Sequence, residues 1–285
     1  MDKGPFLWLV SVGLLVLVTG CQATFPQKNI EGRAQGLREN LISLTDVILS
    51  NPYDPVGYNV RGIAYGRAGR YRRAIRDFSM AIHLDPDFYA AYANRALIYR
   101  SMNESASALD DYNHALQINP YYAAAYVGRG NVYREAGQFD FAFNDYSQAV
   151  QRDPMNERAW YNRAWIEQVR GQHMQAIADF GMAISRQPRV PMPYNGRGLS
   201  YIAVGDWENA ADDFAAAVAL DPNFAESWFN MALVFEHQGD RNKAYQAYSK
   251  AWSLDRKYHA ARAGMRRTRV LHLIKRCPSS TQPAC

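Results

Sequence analysis

Two rows of charged side chains recur along this chain with a single shared period. Arg61, Arg95, Arg129, Arg163 and Arg197 form one row, and Asp77, Asp111, Asp145, Asp179 and Asp213 form the other, each aspartate at the same offset from its arginine. A guanidinium and a carboxylate held at a fixed offset can join fork to fork in a two-bonded ion pair. An arginine row left open would instead line a surface for acidic ligands, and the spacing alone admits both readings. Where a sixth pair is due, Met231 and Ala247 stand together. That joint change suits pairing, because removing one partner of a shielded pair costs roughly 3–5 kcal/mol whereas replacing both can be neutral.

Other reactive chemistry is sparse. The histidines at 83, 114, 173, 237, 259 and 272 have no His-Glu-x-x-His spacing, and no glycine-rich phosphate loop follows a strand pattern. Arg-Gly-Asn and Gly-Arg-Gly strings simply follow the period of the charged rows. No catalytic residue, metal ligand or cofactor is therefore expected, and the chain reads as a non-enzyme. Glu167 is the odd residue: it stands where the other units have Tyr65, Tyr99, Tyr133, Tyr201 and Phe235. A carboxyl in an apolar row is costly unless paired, so it should turn to solvent, pair with Arg163 one turn back on the same helix, or mark a local opening.

The elements that must position these residues follow from the same interval. Prolines fall at 52, 86, 120, 154, 188 and 222, and a 34-residue repeat means paired helices. Units beginning at 55, 89, 123, 157, 191 and 225 carry an aromatic at the fourth position (Tyr58, Tyr92, Tyr126, Trp160, Tyr194, Trp228) and Gly or Ala at the eighth. Alanine stands at the twentieth (74, 108, 142, 176, 210, 244), where two antiparallel helices must approach closely. A second aromatic row (Phe78, Tyr112, Tyr146, Phe180, Phe214, Tyr248) and another alanine row just beyond it lie on one helix face. Glycines at 69, 137, 171, 205 and 239 should end first helices in the left-handed cap, and proline stops the second. With 48% hydrophobic residues the composition is that of a folded chain.

This pattern resembles the tetratricopeptide repeat family over residues 55–258. The resemblance implies an all-α, right-handed superhelix of six helical hairpins, 55–88, 89–122, 123–156, 157–190, 191–224 and 225–258, with a concave groove lined by the first helices. An apolar stripe at Leu37, Leu41, Leu44, Val47 and Ile48 predicts an N-terminal cap helix within 33–54, and residues 259–285 read as a basic cap helix, reaching to about 275, and a tail. Residues 255–276 carry eight Lys or Arg against Asp255, more than the chain's whole formal +5. Such an end suits acidic partners or surfaces, or is simply solvated. Nucleic acid is not an expected partner.

In the family, groove contacts come from positions 2, 5, 9, 12 and 13 of each first helix. Carried onto this chain, they give a polar half with Asn59, Arg67, Arg100, Asn131, Arg134 and Glu135 and an apolar half with Tyr161, Trp165, Val169, Met192, Leu199, Ile202, Phe229 and Leu233. The expected ligand is an extended peptide or helix of a partner protein, anchored on Trp165 and Phe229 and oriented by arginine. The competing expectation is that a following helix or the C-terminal cap covers this surface. The carboxylate clamp of the chaperone-binding subset is absent, since Asn59 and Ile63, Asn94, then Ala124 and Gly128 occupy its positions.

The leader carries a second resemblance. Phe6 to Val18 is an apolar run too short to span a bilayer comfortably, and Val18-Thr19-Gly20-Cys21 resembles a bacterial lipobox. That likeness implies removal of residues 1–20 as a signal peptide, acylation of Cys21, and a tether over 21–32. It places the chain in the cell envelope, facing the periplasm, with Gln22 favouring the outer membrane. Cys277 and Cys285 remain, and their spacing leaves a disulfide and two free thiols both open. Lipobox and repeats together resemble lipoproteins of the new-lipoprotein-I type, adaptors for cell-wall hydrolases and a protease. They also resemble pilotin-like lipoproteins that guide secretin assembly.

Overall fold

A computed structural model describes residues 27–269, whose elements are α-helices throughout. A long helix, α1 (Gln27–Ser50), precedes six hairpins. These are α2 (Pro55–Arg67) with α3 (Tyr71–Leu84), α4 (Tyr89–Ser101) with α5 (Ser105–Ile118), and α6 (Ala123–Glu135) with α7 (Phe139–Arg152). They continue with α8 (Glu157–Val169) and α9 (His173–Arg186), α10 (Pro191–Ala203) and α11 (Trp207–Leu220), and α12 (Ala225–His237) and α13 (Arg241–Leu254). Helix α14 (His259–Thr268) closes the array, an all-α superhelix of stacked hairpins. None of these helices is long and apolar enough to cross a membrane.

Local chemistry sets the boundaries. Asp54, Asn156, Asp206 and Asp240 cap helix starts by accepting from backbone N–H groups within the first turn. The five glycines after first helices have φ between 68° and 83°, and in the second unit Asn103 takes the same left-handed conformation at φ 61°. Asparagine is the side chain that tolerates it best, which is why the glycine row skips that unit. At the junctions between units, Tyr58, Trp160, Tyr194 and Trp228 donate to the carbonyls of Pro52, Pro154, Pro188 and Pro222 at 2.9–3.2 Å. The fourth-position aromatic thus ties each of these first helices to the turn that precedes it. Pro191 sits in the first turn of α10, where no backbone N–H is lost from the helix.

The core is a repeated small-to-aromatic contact. The alanines at 74, 108, 142, 176, 210 and 244 are fully buried, as are the aromatic rings from Phe78 to Tyr248. A ring of this row fills places left by missing or small side chains on two sides. A Cβ at Gly130 would meet Tyr146 of the same hairpin at 2.7 Å, and one at Gly128 would meet Tyr112 of the preceding hairpin at 2.3 Å. Gly128→Ala is therefore expected to lower stability by about 1–3 kcal/mol through overpacking. Gly36→Ala, with nothing within 4 Å of the added carbon, should be neutral or stabilising. Thermal melts of the two variants check the contrast, and equal shifts would contradict the close-contact account.

The end helices continue the repeat as half-units. Leu41 and Leu44 lie one repeat length before Ile75 and Phe78, and Thr45 accepts from Arg61 as Ser79 accepts from Arg95. At the other end Gly264 approaches the Tyr248 ring as Gly128 approaches Tyr112. So α1 stands in for a second helix and α14 for a first helix. Two details differ from the sequence expectation. Helix α1 takes up 27–32 of the expected tether and runs through Gly32 and Gly36 to its stop at Asn51-Pro52. Val47, placed in the apolar stripe, is exposed, while Leu41 and Ile48 are buried. Helix α14 is described as far as Thr268, which is buried against the array, and residues 270–275 of the expected cap helix lie outside the described residues. Cys21, Cys277 and Cys285 lie outside the described residues.

Candidate partner-binding groove

The arginine and aspartate rows meet inside each of five hairpins. Nε and Nη2 of Arg61, Arg95, Arg129, Arg163 and Arg197 donate to the two carboxylate oxygens of Asp77, Asp111, Asp145, Asp179 and Asp213 at 2.5–2.9 Å. The aspartates are almost wholly buried and the arginines about one-fifth exposed. Hydrogen bonding to the partner carboxylate raises the pKa of Arg61, Arg95, Arg163 and Arg197 against the opposing effect of burial. Burial pushes the Asp145 carboxyl up in spite of Arg129. These guanidiniums are therefore engaged by carboxylates of the fold itself.

A further polar row supports the first. Nη1 of Arg61, Arg95 and Arg129 reaches Thr45, Ser79 and Asn113, again one repeat apart, on the second helix of the preceding unit. The arginine thereby links neighbouring units, and the recurrence of a small polar side chain at those positions is the signal that the sequence carries for it. In the sixth hairpin, Met231 and Ala247 are buried side chains without charge. There Glu236 instead receives two bonds from Arg267 of α14 at 2.5 and 2.7 Å and one from the Tyr248 hydroxyl at 2.7 Å. Arg267 holds the Glu236 carboxyl below its ordinary range.

On the concave side, Arg100, Asn131, Arg134, Tyr161 and Met192 converge on a concavity of about 450 Å³, with Glu135, Glu157, Arg158, Asn162, Val190 and Pro193 completing its wall. First helices of units two to five build most of it, and Ala183 and Gln187 at the end of α9 close it. Asn131 Oδ1 accepts from the Tyr146 hydroxyl at 2.9 Å and from Asn162 Nδ2 at 3.2 Å. Burial drives the Tyr146 hydroxyl up to about 12, so it stays protonated as that donor. Arg100 faces Glu135 at 3.6 Å and Arg158 faces Glu157 at 3.7 Å. Arg134 lies over the Trp165 ring at 5.4 Å, and its Nε is buried without a hydrogen-bond partner.

The remaining groove candidates are placed elsewhere. Trp165 is half-buried, edge-on to Phe139 at 5.8 Å, and acts as a floor for Arg134. Leu199 and Ile202 pack on the core around Phe214 and Val234, and Leu233 on that around Ala232 and Tyr248. Phe229, expected as an anchor, packs against Tyr248 at 5.5 Å and Tyr258 at 4.9 Å. Tyr258 caps α14, so the C-terminal half-unit covers Phe229. Of the expected groove residues, Tyr161 and Met192 line the concavity of units two to five together with Arg100, Asn131 and Arg134.

Glu167 neither turns to solvent nor takes a bond from Arg163. It is 6% exposed with Oε2 unpartnered, and Arg163 is already committed to Asp179. Burial first, and the facing Asp179 carboxylate second, push its pKa from 4.5 to about 7.

Comparison with known proteins accords with the helical pairs. No curated protein matches the chain in sequence. Among solved structures, the Cut9–Hcn1 hetero-tetramer of the APC/C aligns over 81% of this chain at TM-score 0.69 and 17% identity, and the chain spans 46% of that longer one. YrrB, described as a TPR protein with an unusual peptide-binding site, aligns over 66% of this chain and 97% of its own at TM-score 0.57 and 24% identity. PilW, described as a widely conserved type IV pilus biogenesis factor, aligns over 73% and 97% at TM-score 0.64 and 18% identity. At these identities the likeness is one of fold. Models described as tetratricopeptide or TPR repeat match residues 59–123, 130–165, 198–239 and 225–258. With its hairpins, capping glycines and small-to-aromatic contacts repeating in the same register, the chain belongs to the tetratricopeptide repeat family.

Proposed function

We propose that this protein is a lipid-anchored adaptor of a bacterial envelope, holding partner proteins through peptide segments laid in its concave groove. The observation that carries the reading is the concavity at Arg100, Asn131, Arg134, Tyr161 and Met192, which mixes apolar walls with hydrogen-bonding groups as peptide sites do. Its role is scaffolding and not catalysis. Anchoring rests on the lipobox-like Val18-Thr19-Gly20-Cys21, with the array projecting from Cys21 into the periplasm. Partners of the new-lipoprotein-I type, cell-wall hydrolases and a protease, are the first candidates. A pilotin-like role in secretin or pilus assembly is the second reading, favoured by the shared fold with PilW over 97% of that chain.

Crosslinking in intact cells, read by mass spectrometry on separated membranes and soluble fractions, tests both parts. Cys21→Ala is expected to leave the membrane fraction, whereas the unchanged chain should co-fractionate with outer membrane. Hydrolases or a protease in the captured set support the first reading, and secretin or pilus subunits the second. Continued membrane association of the Cys21→Ala chain would refute the lipid anchor, and a wild-type captured set empty of proteins would refute the adaptor.

A further inference from the structure

The charges around the concavity do not balance. Glu135 sits 3.6 Å from Arg100 and Glu157 sits 3.7 Å from Arg158, so both wall carboxylates have a cation. Arg134 has no ion-pair partner among the described residues, and its buried Nε finds no acceptor. A guanidinium without a counter-charge in a partly dry wall favours an anionic occupant. The guanidinium is held in place by the Trp165 ring beneath it at 5.4 Å, so it is fixed in position before any ligand arrives.

Asn131 adds to this. Its Oδ1 already takes hydrogen bonds from Tyr146 and Asn162, which leaves its amide N–H groups without an intramolecular acceptor among the described residues. Planar guanidinium and amide donors beside one another match the two oxygens of a carboxylate. Exposed Met192 of α10 lies across the same concavity, offering apolar surface to a neighbouring ligand residue. The wall draws on four successive units, room for a chain that passes through and not only for a chain end.

Resting on the groove-binding reading above, we propose that the occupant is an extended partner segment carrying an internal Asp or Glu, whose side-chain carboxylate is received by Arg134 and Asn131, with an apolar residue beside it against Tyr161 and Met192.

The test uses the full chain and an array of random heptapeptides, acetylated and amidated at the ends, with the central residue fixed in turn as Asp, Glu, Asn, Gln, Lys or Leu. A second set keeps Leu at the centre and ends in a free carboxylate. The Asp and Glu sets are expected to bind at least about tenfold more tightly than the Asn and Gln sets, as desolvated charge pairs do. Arg134→Gln should erase that preference, Arg134→Lys should retain part of it, and Lys250→Gln, on the exposed face of α13 away from the concavity, should leave it unchanged. Equal binding of acidic and amide sets, or a preference that survives Arg134→Gln with unaltered circular dichroism, would overturn the acidic-segment proposal while leaving the groove reading standing. Tight binding confined to the free-carboxylate set would overturn it in favour of a chain end. Failure of every set to bind would reject the groove reading and the proposal with it.

Discussion

Asp145→Ala is expected to destabilise the array by about 3–5 kcal/mol, and Arg129→Met to do so by a comparable amount, whereas the double variant should lie within roughly 1 kcal/mol of the unchanged protein. The reason is in the geometry. Arg129 gives two bonds to a carboxylate that is only 4% exposed and a third to Asn113 of the preceding hairpin. Removing Asp145 strands a guanidinium in a half-dry site, and removing Arg129 strands a carboxylate that burial already pushes toward protonation. Removing both reproduces the Met and Ala arrangement that the sixth hairpin carries with its own side chains buried. Urea unfolding of the four proteins gives the coupling energy. Because such arrays open unit by unit, amide exchange in α6 and α7 should show the loss locally before the ends are affected. Additive single-variant losses would mean that the two charges act independently.

A position is legible in the sequence when it answers to its own repeat, and much less so when it answers to the next one. The proline, alanine and aromatic rows report contacts made once per unit, so their common interval exposes the hairpins and the Arg–Asp offset together. Asn103 escapes the glycine row as a helix end, although asparagine meets the same backbone requirement. The groove is less legible. Positions 5 and 9 face the concave side, but whether Phe229 or Tyr161 remains open depends on the neighbouring unit: Tyr258 covers the first, while the wall of units two to five leaves the second lining a cavity. That difference comes from packing between units, and no single helix pattern carries it. Glu167 stands out as misplaced in its row, yet rescue by Arg163 is not available to it, because the repeat itself assigns that arginine to Asp179.

That competition leads to the second large effect. The stability of the protein is expected to fall as pH rises from about 5 to 8, and Glu167→Gln is expected to remove most of the slope. The folded carboxyl keeps its proton up to about pH 7, while in the unfolded chain it ionises near 4.5. Between those values the folded state binds more protons, so rising pH favours unfolding across that window. Burial supplies the larger part of the shift and the Asp179 carboxylate the next, with Arg163 and Arg170 opposing them. The displacement corresponds to a penalty of at most about 3 kcal/mol for the ionised form at pH 8. Glutamine keeps the shape, carries no charge against Asp179 and has an N–H to donate to it. The variant should therefore match the wild type at pH 5 and exceed it at pH 8, by about 2–3 kcal/mol in urea unfolding. Parallel pH profiles for the two proteins would show that Glu167 is already compensated in the folded array, and the unpartnered Oε2 would then need another source of charge relief.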